Sequence, residues 1–307
     1  MNLDIQEVKN KLLQNSLNLT QEFKRLFHGR GGLYPNFKFL TIDSIDTIVS
    51  IAFYKECSKE LELQILNMIK EFIKTSRHNE IILQRRYQSN NSTEIIYGNI
   101  NDELYVIENG IKFKLNIFSN QNNGYFPDMK NGREYIKSIA KDKKVLNLFS
   151  YTCGFSLAAA SGNASEVINI DMAKNALNTG RTNHHINNIS TSNIKFWPHN
   201  ILKSFGKIKK NGPYDIIIID PPTFQKGSFE ATKDYNKIIK RLDEITNDNS
   251  IILACLNSPY LQSCFVIDIF KEENSKFRFH KRLKNVKEFE SINEEKTLKN
   301  LIFLKSK

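Results

Sequence analysis

Apolar residues recur along this chain in two rhythms, and the alternation between them marks out three regions. Over 1–30, Leu3, Ile5, Val8, Leu12, Leu13, Phe23 and Leu26 fall at helical spacing. The pattern predicts one or two amphipathic helices that stop at His28-Gly29-Arg30-Gly31-Gly32. That segment is basic and glycine-rich, which suits either an approach to a phosphate backbone or a plain helix stop and loop. Over 31–118 the rhythm mixes. Strands are expected at 37–42, 47–54, 81–86 and 94–97. A helix is expected at 58–74, where Leu61, Leu63, Ile65, Leu66, Ile69, Phe72 and Ile73 form a stripe. A hairpin follows at 103–107 and 111–117, turned by Asn109-Gly110. Arg85 and Arg86 inside a strand suit either an RNA-facing or a solvated sheet face.

Over 119–307 continuous apolar runs alternate with helical stretches. The runs lie at 144–149, 166–170, 194–197, 215–219 and 251–255, with helices such as 172–186 and 233–245 between them. Such alternation predicts an α/β fold, a doubly wound parallel sheet. The tail departs from it: 276–283 and 298–304 read as two strands with no helix between them, an antiparallel pair closing the sheet.

Ligands of open α/β sheets bind at the carboxyl ends of strands where the strand order reverses, and four motifs fall on such ends. The first run leads into Phe149-Ser150-Tyr151-Thr152-Cys153-Gly154, a tight turn that lets amides approach a ligand or simply joins strand to helix. No G-x-G-x-x-G is present there, which tells against a dehydrogenase. The second run ends in Asp171, a carboxylate suited to ribose hydroxyls or to capping the next helix. After the third, Asn200 is suited to an adenine amino group or, again, to a cap. The fourth ends in Asp220-Pro221-Pro222-Thr223-Phe224. Two prolines remove two amide donors and leave carbonyls free to accept from a planar nitrogen group.

These residues carry a resemblance. The 220–224 segment resembles motif IV of nitrogen-directed nucleic-acid methyltransferases. With Asn147-Leu148-Phe149-Ser150-Tyr151-Thr152, Asp171-Met172 and the segment Gly124-Tyr125-Phe126-Pro127-Asp128-Met129-Lys130-Asn131-Gly132-Arg133, it is similar to the bacterial 23S rRNA large-subunit methyltransferases. The resemblance implies a class I, Rossmann-like methyltransferase domain over 119–307 with S-adenosyl-L-methionine as cofactor, preceded by a small α/β substrate domain. It implies cofactor contacts from Phe126, Asp128, Arg133, Asn147, Phe149, Ser150, Tyr151, Thr152, Gly154, Asp171, Met172, Asn200 and Asp220. It gives Asp220 and the carbonyl of Pro221 the base edge to hold, and Phe224 its face to stack on. Lys226 and Lys233 then meet phosphates or sit on a solvated helix face. Where this family commonly carries a PUA-type domain ahead of this unit, only a short helical segment is expected here. The chain also reads Thr152-Cys153-Gly154 where Thr-Gly-Gly is common, so Cys153 is expected to pack beside the cofactor, not to react.

Methylating cytosine at C5 needs a cysteine thiolate that attacks C6. Cys255 falls within the fifth run, and Asn257 stands at the loop position where the resemblance implies a cysteine in cytosine enzymes. The expected target is therefore a guanine nitrogen, N7 or N2, of 23S rRNA or its large-subunit precursor. Cytosine C5 is the alternative, and a non-catalytic assembly factor on the same fold is the alternative of another class. Composition adds little to this. The net charge of +11 suits a polyanionic partner or a solvated lysine-rich surface. The four cysteines form no CxxC, so no metal site or disulfide framework is expected. No run approaches the roughly 18 apolar residues of a membrane span. The N-terminus lacks a signal-peptide layout, so the expected location is the cytoplasm.

Overall fold

The structure, a computed structural model, describes residues 5–88, 93–100, 103–118, 123–225 and 229–306, the side chains of Phe224 and Gln225 excepted. The chain forms two compact units. One is Met1–Pro127 with Val286–Ile292, and the other is Asp128–Asn285 with Asn293–Lys307.

The first unit runs α1 (Gln6–Asn15), β1 (Lys24–His28), β2 (Leu40–Ile45), β3 (Ile48–Phe53), α2 (Lys59–Ile73), β4 (Glu80–Arg85), β5 (Thr93–Tyr97), β6 (Leu104–Glu108) and β7 (Ile111–Leu115). Strands β1 to β5 form one sheet in chain order. Only β3 and β4 are parallel, because α2 carries the chain back between them. Helix α2 starts where Ser58 accepts a hydrogen bond from the Leu61 amide, and its buried stripe is Leu61, Ile65, Ile69, Phe72 and Ile73. In the β6–β7 hairpin Asn109 and Gly110 both take positive φ, 50° and 77°. Glycine reaches that region without steric cost and Asn more easily than most residues, which is why this pair turns a two-residue hairpin.

The helical expectation for 1–30 holds only for α1. Phe23 and Leu26 share its spacing, yet Leu26 and Phe27 lie buried in β1, which pairs with β2. Arg25 and Asp43 are register partners across that pair, and the guanidinium donates from Nε to Oδ1 at 2.6 Å and from Nη2 to Oδ2 at 3.0 Å. A short apolar run cannot be assigned from spacing alone, and pairing with β2 overrides it. Helix α1 and strand β1 therefore contribute to this unit's core, in which Val8 and Leu12 pack with Leu26, Phe27 and Ile42. Unit 1 also extends to Pro127, past the expected boundary at 118.

The second unit runs α3 (Lys130–Ile139), β8 (Lys144–Leu148), α4 (Gly154–Ser161), β9 (Glu166–Ile170), α5 (Lys174–Ile186), β10 (Ile194–Trp197), α6 (Phe205–Lys210), β11 (Tyr214–Ile219), β12 (Phe224–Gln225), β13 (Phe229–Glu230), α7 (Ala231–Ile239), β14 (Thr246–Leu256), α8 (Ser263–Glu273), β15 (Phe277–Arg282) and β16 (Lys299–Lys305). Its main sheet has the order β10-β9-β8-β11-β14-β16-β15. The first five strands are parallel, and β16 runs antiparallel to both neighbours. This is the doubly wound sheet with a closing antiparallel pair that the sequence predicts. Alternate residues feed two cores, one on each face. Leu146, Leu148, Ile217 and Ile219 belong to one, and Val145, Ile216 and Ile218 to the other. Because β8, β9 and β11 are buried on both faces, they read as largely apolar runs, interrupted inside β8 and β9 by Asn147 and Asn169.

Candidate active site

The chain leaves β8 toward β9 on one side, while β11 pairs with β8 on the other. The carboxyl ends of β8 and β11 therefore flank the crevice where such sheets bind ligands. All the expected site residues except Phe126 belong to this unit. Phe126 lies in the other one, with an exposed ring.

The turn after β8 takes left-handed backbone at three alternate residues, Phe149 (φ 57°), Tyr151 (φ 45°) and Cys153 (φ 63°). None is glycine, so each costs about 1–2 kcal/mol and must be held by its surroundings. The Ser150 amide donates to the Ile170 carbonyl at 3.1 Å, and the Tyr151 amide to Asp171 Oδ2 at 2.8 Å. The Cys153 amide donates to the Ser150 carbonyl at 2.7 Å, and Asn183 Nδ2 to the Thr152 carbonyl at 3.1 Å. Cys153 then caps α4, and Gly154 opens that helix. The Cys153 thiol is fully buried, and burial pushes its pKa well above the usual thiol range. It packs where α5 comes closest. A Cβ on Gly180 would lie 2.5 Å from Cys153 Sγ and 2.9 Å from its Cβ. Cys153 is thus a packing residue, as expected.

Asp171, at the end of β9, is held by backbone amides on both carboxylate oxygens, while the residue that caps α5 is Ala173. Asp171 Oδ2 holds the Tyr151 amide, and Oδ1 accepts from the Ala173 amide at 2.8 Å just ahead of α5. Each oxygen keeps a second lone pair, so the carboxylate is oriented by the backbone and still able to accept from a pair of hydroxyls. Met172, exposed, accepts at Sδ from Asn200 Nδ2 at 3.4 Å, which brings the ends of β9 and β10 together. Asn200 Oδ1 already accepts from the Lys203 amide at 3.1 Å, the turn-forming role.

Asn147 stands at the head of a buried polar chain. Its Nδ2 donates to Asn169 Oδ1 (2.9 Å), and Asn169 Nδ2 donates to Ser156 Oγ (3.0 Å). Ser156 Oγ lies 3.0 Å from His184 Nε2, and His184 Nδ1 lies 2.7 Å from the Gly180 carbonyl. A carbonyl only accepts, so Nδ1 carries the proton and Nε2 accepts a hydrogen bond from the Ser156 hydroxyl. Burial holds the His184 pKa below its usual value, in keeping with this neutral form. The chain ties β8, β9, α4 and α5 into one frame around the turn. Among the described residues Asn147 Oδ1 is buried without a hydrogen-bond partner, near the end of β8.

At the end of β11, Asp220 is followed by buried Pro221. The Asp220 amide lies 3.5 Å from the Leu148 carbonyl, the last bond between β11 and β8. The Asp220 carboxyl is pushed up to about 7 by desolvation and by the Asp128 carboxylate, against the opposing pull of the Arg133 guanidinium. Asp128, just ahead of α3, and buried Arg133, within it, thus share the electrostatics of the motif. Thr223 Oγ1 donates to the Asn257 carbonyl at 2.8 Å and joins the motif to the loop after β14. The Asn257 side chain is exposed. Phe149 meets Phe229 edge to face, centroids 4.9 Å apart. Phe224 pairs through its backbone with Glu230, and Lys226 lies outside the described residues. Lys233 is engaged by Glu230 at 2.8 Å on the solvated face of α7.

Sequence reasoning missed Tyr235. Fully buried in α7, its hydroxyl donates to the Cys255 carbonyl at 2.9 Å and lies 3.4 Å from the Ile219 carbonyl, bracing the ends of β14 and β11 beneath Asp220. It also missed Gly180 and the Asn169–Ser156–His184 chain. A polar residue at the centre of an apolar strand, as Asn147 and Asn169 are, was the one available signal. Cys255 lies inside β14, fully buried, with its thiol pushed well above the usual range by burial.

A family model described as S-adenosylmethionine-dependent methyltransferase matches residues 24–304. The chain is 30% identical over 214 residues to the ribosomal RNA large subunit methyltransferase I of Aeromonas salmonicida (strain A449), covering 66% of this chain and 54% of that protein. It is 31% identical over 208 residues to the ribosomal RNA large subunit methyltransferase K/L of Pseudoalteromonas translucida (strain TAC 125), covering 66% and 29%. The chain thus spans about half the length, or less, of these curated relatives. A solved structure from Streptococcus mutans, described as a candidate SAM-dependent methyltransferase, superposes with a TM-score of 0.87 at 24% identity over 99% of this chain and 82% of that one. That likeness shows the fold.

Proposed function

The chain belongs to the S-adenosylmethionine-dependent methyltransferase family, and from this premise we propose that it methylates a guanine nitrogen, N7 or N2, of large-subunit ribosomal RNA. The observation that carries the reading is Asp220 at the β8–β11 crevice. It is a carboxyl pushed up to a pKa of about 7 and followed by two prolines, beside a turn flanked by Asn147 and by the Asp171 carboxylate, which suits ribose hydroxyls. S-adenosylmethionine supplies an activated methyl group on a sulfonium, so the chain's own work is alignment. Asp220 as carboxylate accepts from the amino edge of the base and the Pro221 carbonyl accepts beside it. Phe224 is assigned the face of the ring, and Asn257 a polar contact from the loop after β14. Asp171 takes the ribose hydroxyls, and Asn147 with the 149–154 turn encloses the amino-acid end.

The state of Cys255 supports nitrogen over cytosine C5. A covalent step needs an accessible thiolate, and this thiol is buried in a strand and held protonated. The names of the relatives support RNA of the large subunit as substrate. Mass mapping of ribosomal RNA from cells lacking the protein tests the proposal. It should reveal one guanosine that has lost a methyl group at N2 or N7. Loss of a 5-methylcytidine, or no loss, would overturn it.

A further inference from the structure

Unit 1 contains five arginines: Arg25, Arg30, Arg77, Arg85 and Arg86. Three are neutralised by carboxylates: Arg25 by Asp43, Arg77 by Asp46, and Arg85 by Glu62 and Glu94. Among the described residues the other two form no ion pair, and both come to one aromatic ring. The Arg30 guanidinium carbon lies 4.0 Å from the centroid of Tyr54, and that of Arg86 lies 5.7 Å from it. Like charges do not gather without cause, since each raises the cost of the other.

The guanidinium of Arg86 is held by a neutral partner. Its Nε and Nη2 donate to Gln84 Oε1 at 3.1 and 2.9 Å, and buried Gln84 is fixed in turn by donating to Thr93 Oγ1 at 2.9 Å. A carboxylate in place of that amide would cancel the charge; the amide orients it and leaves it intact. Arg30 sits on the Gly29–Gly31 turn after β1 and is exposed. Tyr54 follows β3, and Arg86 follows β4, the strand parallel to it, so the three converge from separate segments at the carboxyl end of the β3–β4 pair. An oriented arginine pair with unspent charge and free donors fits a phosphate oxygen, which accepts from two N–H groups at once.

We propose that Arg30, Tyr54 and Arg86 form a phosphate-binding site that grips the sugar–phosphate backbone of the RNA substrate. The inference rests on the RNA reading above and adds the place where unit 1 holds that RNA. It also divides the two arginines at the end of β4: Arg85 is structural and Arg86 meets the ligand.

The test uses the full chain, a transcribed fragment of large-subunit ribosomal RNA and labelled cofactor. The double variant Arg30→Gln/Arg86→Gln is compared with Lys59→Gln/Lys70→Gln, which removes two exposed charges from α2. The arginine variant should raise KM for RNA about tenfold or more and leave kcat and cofactor binding unchanged. It should also make the slope of log affinity against log salt shallower by about 1.4 for two single-strand phosphate contacts. The lysine variant should match the wild type. Tyr54→Leu should weaken binding and Tyr54→Phe should not, because the ring holds Arg30. Equal weakening by both double variants would show general charge attraction and overturn the site. So would wild-type binding by the arginine variant while methyl transfer persists, an outcome that leaves the RNA reading standing. If the wild type neither binds nor methylates RNA, the RNA reading fails and the site with it. Binding of inorganic phosphate or an acidic peptide at Arg30 and Arg86, with RNA affinity unaffected by their loss, would assign the site to another anion and overturn the proposal.

Discussion

Replacing Gly180 by alanine adds one methyl group at the point where α5 touches the turn after β8. The new Cβ would stand 2.5 Å from Cys153 Sγ, 2.9 Å from Cys153 Cβ and 3.4 Å from the Thr152 carbonyl carbon. The first two distances lie far inside carbon and sulfur contact, and the atoms met belong to a residue held at φ 63° with a buried side chain. Such overpacking costs about 1–3 kcal/mol, while alanine in a helix interior regains up to about 1 kcal/mol. Net destabilisation of about 1–2 kcal/mol is expected, together with weaker cofactor binding, because relief of the clash displaces the turn. Cys153→Gly alone should change stability by less than about 1 kcal/mol: it relieves a left-handed residue but loses a small buried group and frees the unfolded chain. Combining the two places the alanine methyl where the thiol was. Urea unfolding of the four proteins forms a cycle whose coupling energy should be about 1–3 kcal/mol, with the double variant recovering both stability and calorimetric affinity for S-adenosylmethionine. Additive changes, or a Gly180→Ala protein as stable as the wild type, would refute the packing argument.

Three further outcomes follow from the site. In the ligand-free protein the Asp220 carboxyl should titrate at about 7 by carboxyl-carbon NMR. Asp128→Asn should lower the midpoint by removing a like charge, and Arg133→Gln should raise it. The carboxylate is the working form, so activity should fall as pH drops through that midpoint. The same raised value means that ionisation opposes folding, so stability relative to Asp220→Asn should decline as pH climbs from about 4 toward 7. Asp171→Ala removes the acceptor for the Tyr151 and Ala173 amides and should weaken cofactor binding at least about tenfold, read by calorimetry. Cys255→Ala should leave methyl transfer within about twofold; abolished transfer with normal cofactor affinity would contradict the nitrogen reading.

Much of the second unit was legible because its strands are buried on both faces, and largely apolar runs bounded by polar turns mark where each ends. Those ends carry the proposed site, so Asp171 and Asp220 could be singled out without coordinates. The buried supports could not. Tyr235 braces the Ile219 and Cys255 carbonyls from a helix later in the chain, and nothing in its neighbourhood distinguishes it from a core aromatic. Gly180 matters for what is missing, a Cβ that Cys153 could not tolerate, and an approach of that kind belongs to tertiary structure alone. Asn200 was read as a ligand contact or a cap, and its carbonyl oxygen serves the Lys203 amide. In the first unit β1 was read as helix, since five residues with two inward apolar side chains fit either period until β2 lies beside them. Arg85 and Arg86 looked equivalent; only the positions of Glu62, Glu94 and Gln84 separate a structural ion pair from a free charge.

The account rests on Asp220 as the group that holds the target base edge. Labelled methyl transfer from S-adenosylmethionine to large-subunit ribosomal RNA, measured for Asp220→Ala beside the wild type with cofactor affinity taken on the same samples, tests it most directly. The account predicts transfer reduced by at least about a hundredfold while the cofactor still binds. Transfer at the wild-type rate would contradict it and move the active site elsewhere.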